Sequence, residues 1–179
     1  LHKEYRRQRQ MCIRDRIEGG RRRIAFVGGP FDMRQVTDRL AGARAAAENA
    51  AVHVELEVVP TAAMTVEEGV AAGARLLTRP RREWPDALFA ANDLLALGLL
   101  QSLVAGGRLL VPQEIALIGF DDNPFAAAAA VPLSSIRQPS RMIGRTALRI
   151  VLEEAADPES IPRQTVFPPE LIVRSSTSG

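Results

Sequence analysis

Two pairs of short polar residues each close an apolar run: Asn92-Asp93 follows residues 87–91, and Asp121-Asp122 follows residues 115–120. A carboxylate accepts hydroxyl donors and an amide both donates and accepts, so such pairs suit recognition of a small polar ligand. Asp93, Asp121 and Asp122 could also begin a Mg²⁺ site for phosphoryl transfer, but such a site needs further carboxylates or a nearby lysine. The single lysine is Lys3. Other reactive side chains are scarce: two histidines, His2 and His53, and one cysteine, Cys12. One cysteine excludes an internal disulfide and a multi-cysteine metal site. No H-E-x-x-H or G-x-S-x-G motif occurs, and His53 reads as an exposed residue at a strand start. These residues point to binding without catalysis: no catalytic residue, no metal ligands, no cofactor, not an enzyme.

The elements around the two pairs form a βαβ unit. A run at 87–91 is too short for a helix, and the helix after it is expected to start with Asp93 as N-cap and stop at Gly106-Gly107. A second apolar run at 115–120 returns as a parallel strand. In open parallel sheets, ligands sit outside the carboxyl ends of the strands, which is where Asn92 and Asp121 fall. The intervening helix carries leucines around nearly its whole circumference, so something besides the sheet must cover it. Either a neighbouring element does so or a second copy does. The homodimer is the expectation, with Leu95, Leu99 and Leu103 at the interface.

Elsewhere the pattern continues as α/β. Residues 23–28 form a strand closed by Gly29-Pro30, and residues 33–49 a helix with Val36, Leu40, Ala43 and Ala47 inward. Residues 53–60 alternate, with Glu55 and Glu57 on the wet side, which predicts an edge strand. Thr65 to Glu68 is a capping box opening a helix to about Thr78, with Val70, Ala74 and Leu77 inward. Residues 123–132 read as a loop with a single turn, 133–137 as a short connecting strand, 139–156 as a helix and 165–173 as a last strand. The fold class is α/β, a parallel sheet flanked by helices, in strand order 2-1-3-4 for the first four strands.

The chain's 179 residues allow one domain with a real core, and its net charge of +2 conceals an asymmetry. Nine of the 23 basic residues lie within residues 1–23, leaving a net of −4 from Ile24 onward. Residues 1–22 form a basic tail without aromatic interleaving, read as disordered or foreign to the domain rather than as a nucleic-acid arm. No run approaches the length of a membrane span and no secretory signal is recognisable, so a cytoplasmic setting is expected.

Four segments in order, FAANDLLALGLLQSL, VPQEIALIGFDD, PLSSIRQPSRMIGRTAL and LIVRSST, resemble the LacI/GalR family of bacterial transcription regulators over residues 23–177. The resemblance implies a periplasmic-binding-protein-like fold of type I, of which this chain carries the second subdomain and one strand–helix segment of the first. It implies residues 23–132 as the C-terminal effector-binding subdomain and 133–162 as a segment of the other subdomain. Residues 163–177 would then be the strand that returns. The family's helix-turn-helix, hinge helix and first subdomain are expected to lie outside this chain, so DNA would be read only through that missing part. The resemblance places an effector-contacting arginine at Arg39. It puts Met64 where relatives often carry an aromatic that stacks on the effector ring. With Asn92 and Asp121, these residues are the expected contacts for a sugar or similar polar metabolite. A periplasmic sugar-binding protein of the same fold is the alternative.

Overall fold

In the computed structural model, residues 20–107, 109–156 and 164–178 are described. The elements run β1 (Arg23–Gly28), α1 (Arg34–Glu48), β2 (Glu55–Pro60), α2 (Val66–Leu77), β3 (Ala87–Ala90) and α3 (Asp93–Val104). They continue with β4 (Ala116–Asp121), α4 (Pro124–Ala128), β5 (Ser134–Arg137), α5 (Ser140–Ala156) and β6 (Glu170–Ile172). A single sheet carries the order β2-β1-β3-β4-β5-β6. Pairing is parallel from β2 through β5, and only β6 runs antiparallel, on β5. The expected order of the first four strands holds, with β2 at the edge and neither Glu55 nor Glu57 buried.

The central strands are apolar on both faces because helices cover both, as parallel sheets require. Every residue of β3 is buried, as is β4 up to Asp121. Phe26 and Phe89 meet edge to face at 5.4 Å and 81° within this core. On β2 the alternation is blurred: Leu56 and Val58 are half-buried, while Val59, in phase with the glutamates, is buried. Glu57 is held by Arg79, whose two terminal nitrogens donate to both carboxylate oxygens at 2.8 and 2.7 Å.

Helix α3 is covered from within the chain. Leu95, Leu99 and Leu103 have no exposed surface, so they cannot form the expected dimer interface. Their cover is β4 on one side and α2 on the other, where glycines let two helix backbones approach. A Cβ on Gly98 would run into Val66 O and Val70 N, and one on Gly69 into Leu95 O. For the same reason the inner face of α2 is Gly69, Ala72, Gly73 and Leu76, whereas Ala74 is exposed and Val70 and Leu77 are only half-buried. Counting apolar residues had put the inner face one position too far along. The capping box is present: Thr65 Oγ1 accepts from Glu68 N at 3.3 Å, although Glu68 turns its carboxylate to Ala62 N. On α1, Ala46 rather than Ala47 joins Val36, Leu40 and Ala43 in the core.

At the amino ends of the strands, Asp86 acts as a staple. Its Oδ2 accepts from the backbone N–H groups of Arg22 and Arg23, each at 2.9 Å, and its Oδ1 pairs with Arg23 at 3.1 Å. Arg21 donates to the carbonyls of Asp86 and Pro112 at 2.6 and 2.5 Å. Arg21 and Arg22 therefore belong to the folded body, and the tail boundary at residue 22 is corrected; the reading of residues 1–19 lies outside the described residues. Trp84 stands at the same end, its indole N–H donating to Arg79 O at 3.0 Å.

The last third of the chain departs from expectation in two respects, the placement of one strand and the length of another. Residues 134–137, assigned by resemblance to the other subdomain, pair in register with β4 and extend the main sheet. A buried hydroxyl network explains this. Ser134 Oγ accepts from Arg174 N at 2.7 Å, while Ser176 Oγ accepts from Ser134 N at 2.8 Å and donates to Leu117 O at 2.6 Å. The R-S-S-T motif thus stitches the chain end onto β4 and β5. Helix α5 alone stands away: it has no buried residue, and Met142, Ile143, Leu148, Val151 and Leu152 are exposed. Ordered β6 covers only Glu170–Ile172 of the longer strand expected.

Candidate functional site

Asp121 ends β4 in a backbone conformation that L residues avoid. Its φ is +109°, and Asp122 follows at +53°. Consecutive non-glycine residues in this region persist only where their surroundings impose it. The restraints are visible. Asp122 N donates to Ser135 Oγ at 2.9 Å, and Asn123 N donates to Asp93 Oδ2 at 2.8 Å. The Asp122 carboxylate pairs with Arg174 and Arg137, each at 2.7 Å. Burial pushes Asp122 upward, but the hydrogen bonds and charges of Arg174 and Arg137 outweigh it and hold the carboxyl below its ordinary range. Asp122 thereby ties the end of β4 to β5 and to the chain after β6.

The turn aims Asp121 across the carboxyl end of the sheet. Its Oδ1 accepts from Gln138 Nε2 at 3.1 Å and pairs with Arg39 Nη2 at 3.4 Å. Arg39, only 7% exposed, comes from α1. Its Nη1 donates to Ala91 O at 2.6 Å, and its guanidinium carbon lies 3.7 Å above the Phe120 ring centre. The planar fork is therefore fixed by a carbonyl, a carboxylate and an aromatic face. Burial raises the Asp121 carboxyl, and Arg39 and Gln138 oppose that rise. Arg39, Phe120, Gln138, Ile143 and Phe167 help line a cleft of about 220 Å³, with Asp121 at its rim through Arg39 and Gln138.

The expected contacts fall into two pairs. Arg39 and Asp121 meet each other at the cleft. Asn92 and Met64 meet each other beside it, Asn92 Nδ2 donating to Met64 O at 3.1 Å. Asn92, not Asp93, is the N-cap of α3: its Oδ1 accepts from Leu95 N at 2.9 Å. Asp93 instead sits in the first helical turn and points inward to Ser135 and Asn123. The N-cap assignment was one residue late because Asn and Asp are equally good caps and stand adjacent. Gln138 and Phe120 were missed. The pairing of β5 with β4 puts Gln138 at the same end of the sheet as Asp121, and local spacing does not show that pairing.

A larger hollow of about 610 Å³ lies between the end of α1 and β2, bordered by Arg44, Glu48, His53 and Leu56. Arg44, Glu48 and His53 are exposed, and the hollow lies away from the strand carboxyl ends. The smaller cleft, at the carboxyl ends of the strands, is the candidate site. Among the described residues, no group of three or more metal-ligating side chains gathers, and no helix is long and apolar enough to cross a membrane.

Residues 14–177 match the family described as a periplasmic binding protein-like domain. The transcriptional regulator CelR of Thermobifida fusca is 38% identical over 160 residues, covering 89% of this chain and 46% of the relative. The chain belongs to the LacI/GalR family. Solved structures of related regulators share the fold. A CelR–cellobiose complex is 35% identical with a TM-score of 0.85, covering 97% of this chain and 52% of that one. A LacI-family regulatory protein from Chloroflexus aggregans is 30% identical with a TM-score of 0.85, covering 98% and 62%. This LacI/GalR domain spans about half the length of the curated relatives it matches. The expectations of a mostly parallel α/β sheet and of a LacI/GalR effector-binding domain hold.

Proposed function

We propose that this chain is the ligand-sensing part of a transcriptional regulator and that it binds a sugar or similar polar effector in the Arg39–Asp121 cleft. The observation that carries the reading is this pair. A buried guanidinium and a half-exposed carboxylate are held at the carboxyl end of a parallel sheet, beside an aromatic ring. Such a set offers fixed donors and acceptors to hydroxyl groups, and a few such groups in a partly apolar cleft set specificity. A relative whose solved complex holds cellobiose supports a polyhydroxyl ligand. Met64 adds an apolar contact without a stacking plane, and Asn92 acts by holding the Met64 loop as well as capping α3.

The rest of the assembly follows the same reading. The exposed face of α5 seats the companion subdomain, and the effector closes the two subdomains on each other in a cytoplasmic regulator. Closure changes how DNA-binding heads elsewhere in the protein are held, a coupling through differential affinity. The homodimer surface moves from the buried leucines to Leu94 and to Phe125, which is 69% exposed. The starts of α3 and α4 lie side by side through the Asp93–Asn123 hydrogen bond.

Asp121→Asn tests the site. Asparagine tolerates the left-handed backbone, so the melting temperature should stay close to wild type. Calorimetric titration of the full-length regulator with cellobiose and a panel of related sugars should show binding weakened by about 1–3 kcal/mol, the scale of a lost charge-assisted hydrogen bond. A lowered melting temperature with unchanged affinity would make Asp121 a turn residue and misplace the site.

A further inference from the structure

Asp93 has no exposed surface, and the cleft does not touch it. Its two oxygens have separate tasks. Oδ1 accepts from Ser135 Oγ at 2.6 Å, and Oδ2 accepts from Asn123 N at 2.8 Å. Ser135 Oγ, its proton committed to Asp93, accepts from Asp122 N at 2.9 Å. One carboxylate therefore governs two consecutive amides, one directly and one through a hydroxyl. These amides belong to the turn whose first two residues, Asp121 and Asp122, carry φ of +109° and +53°. Strand β4 is shaped for the same purpose: a Cβ at Gly119 would collide with Asp93 Oδ1.

We propose that Asp93 is a positioning residue of the cleft: through Ser135 and Asn123 it holds the turn that aims Asp121 at Arg39 and Gln138, and protonation of Asp93 loosens that aim. The proposal rests on the reading of Asp121 as an effector contact. A neutral carboxyl keeps one carbonyl acceptor and turns its other oxygen into a donor, so one of the two links loses its acceptor. The charged groups around Asp93 come from every neighbouring element. Asp121 and Asp122 lie at the end of β4; Arg39 of α1 pairs with Asp121, and Arg137 of β5 and Arg174 after β6 pair with Asp122. Burial pushes Asp93 up to about 6, against the hydrogen bonds of Ser135 and Asn123 and with the repulsion of Asp121 and Asp122. The switch thus falls in mildly acidic solution, where an ordinary carboxylate has finished titrating.

Amide ¹⁵N–¹H resonances of the 179-residue chain, followed through a pH titration without ligand, test the proposal. The Asp122 and Asn123 amides and the Gln138 side-chain amide should shift together with a midpoint near 6. In Ser135→Ala the Asp122 component near 6 should vanish while that of Asn123 remains; in Asp93→Asn all three should lose the component near 6, leaving only what the Asp121 carboxylate itself contributes. The absence of a component near 6, a Gln138 amide that lacks it, or an Asp122 component near 6 that survives in Ser135→Ala would each overturn it. If Ser135→Ala does not fold, the wild-type titration with Asp93→Asn decides. These signals need no effector, so they stand or fall independently of Asp121→Asn in the sugar titration.

Discussion

Helices α3 and α5 both carry a set of large apolar side chains, and both follow a strand of the same sheet, yet they end in opposite environments. Seven of the twelve residues of α3 are buried, and none of the seventeen of α5 is. Part of the difference is composition, six leucines in α3 against two in α5, and part is what each helix meets. Helix α3 lies between β4 and the glycine face of α2, so even a leucine-covered cylinder finds cover on two sides. Helix α5 carries Leu148, Val151 and Leu152 at helical spacing on a face that is mostly exposed in the described structure. Seven residues of α3 are buried within this chain while Leu94 stays 39% exposed, whereas the large apolar residues of α5 remain exposed.

Substitutions that probe this contrast should spread widely in effect. The largest is expected for Gly98→Ala, because the new methyl meets backbone atoms of Val66 and Val70 that cannot rotate away. A loss of about 4 kcal/mol, at the upper end for single changes, should appear as a lowered denaturant midpoint. A wild-type midpoint would show that the α2–α3 approach is looser than described. Leu99→Ala, which empties a fully buried position, should cost about 3 kcal/mol in the same assay.

Asp93→Asn should work in the other direction. Asp93 is raised from the ordinary carboxylate value to about 6, so between those limits the folded chain holds a proton the unfolded chain has released. Stability therefore falls as pH rises through that window, and the ionised residue burdens the fold above it. The asparagine variant should lose this slope and gain up to about 2 kcal/mol at pH 7, measured by denaturation across pH. A variant that keeps the slope would assign the titration to another group. The smallest effect is expected for Leu152→Ala: within about 0.5 kcal/mol in this chain, because the side chain is exposed. A loss approaching that of Leu99→Ala would mean that α5 is covered after all.

Periodicity and apolar runs were enough to read the sheet. The solid runs of β3 and β4 and the charged alternation of β2 placed central and edge strands correctly. Reading failed where glycine, not hydrophobicity, marked the inner face. Gly69, Gly73 and Gly98 look neutral in sequence, but they decide that α2, rather than a second copy, covers Leu95, Leu99 and Leu103. At the site, Asp121 was legible as a strand-end carboxylate, and the family resemblance supplied Arg39. Gln138 and Ser135 were not legible. Their importance comes from β5 lying beside β4, a long-range pairing that local spacing does not encode. The Asn92-Asp93 pair was recognised as polar chemistry, but which member caps and which turns inward depends on Ser135, 42 residues away in sequence.

Trp84 is the sole tryptophan, and it is anchored to Arg79 at the amino-terminal approach to β3. Asp121 closes β4 at the far end. A parallel sheet has two unlike ends, and here the fluorophore occupies one and the cleft the other. Intrinsic emission from this domain is therefore a faithful optical readout of unfolding and a poor one of ligand occupancy. A sugar screen followed by tryptophan fluorescence would return blanks whether or not the sugar bound. An indole introduced at Met64, where the chain carries a flexible thioether beside the cleft, would move the light source to the end of the sheet where recognition takes place.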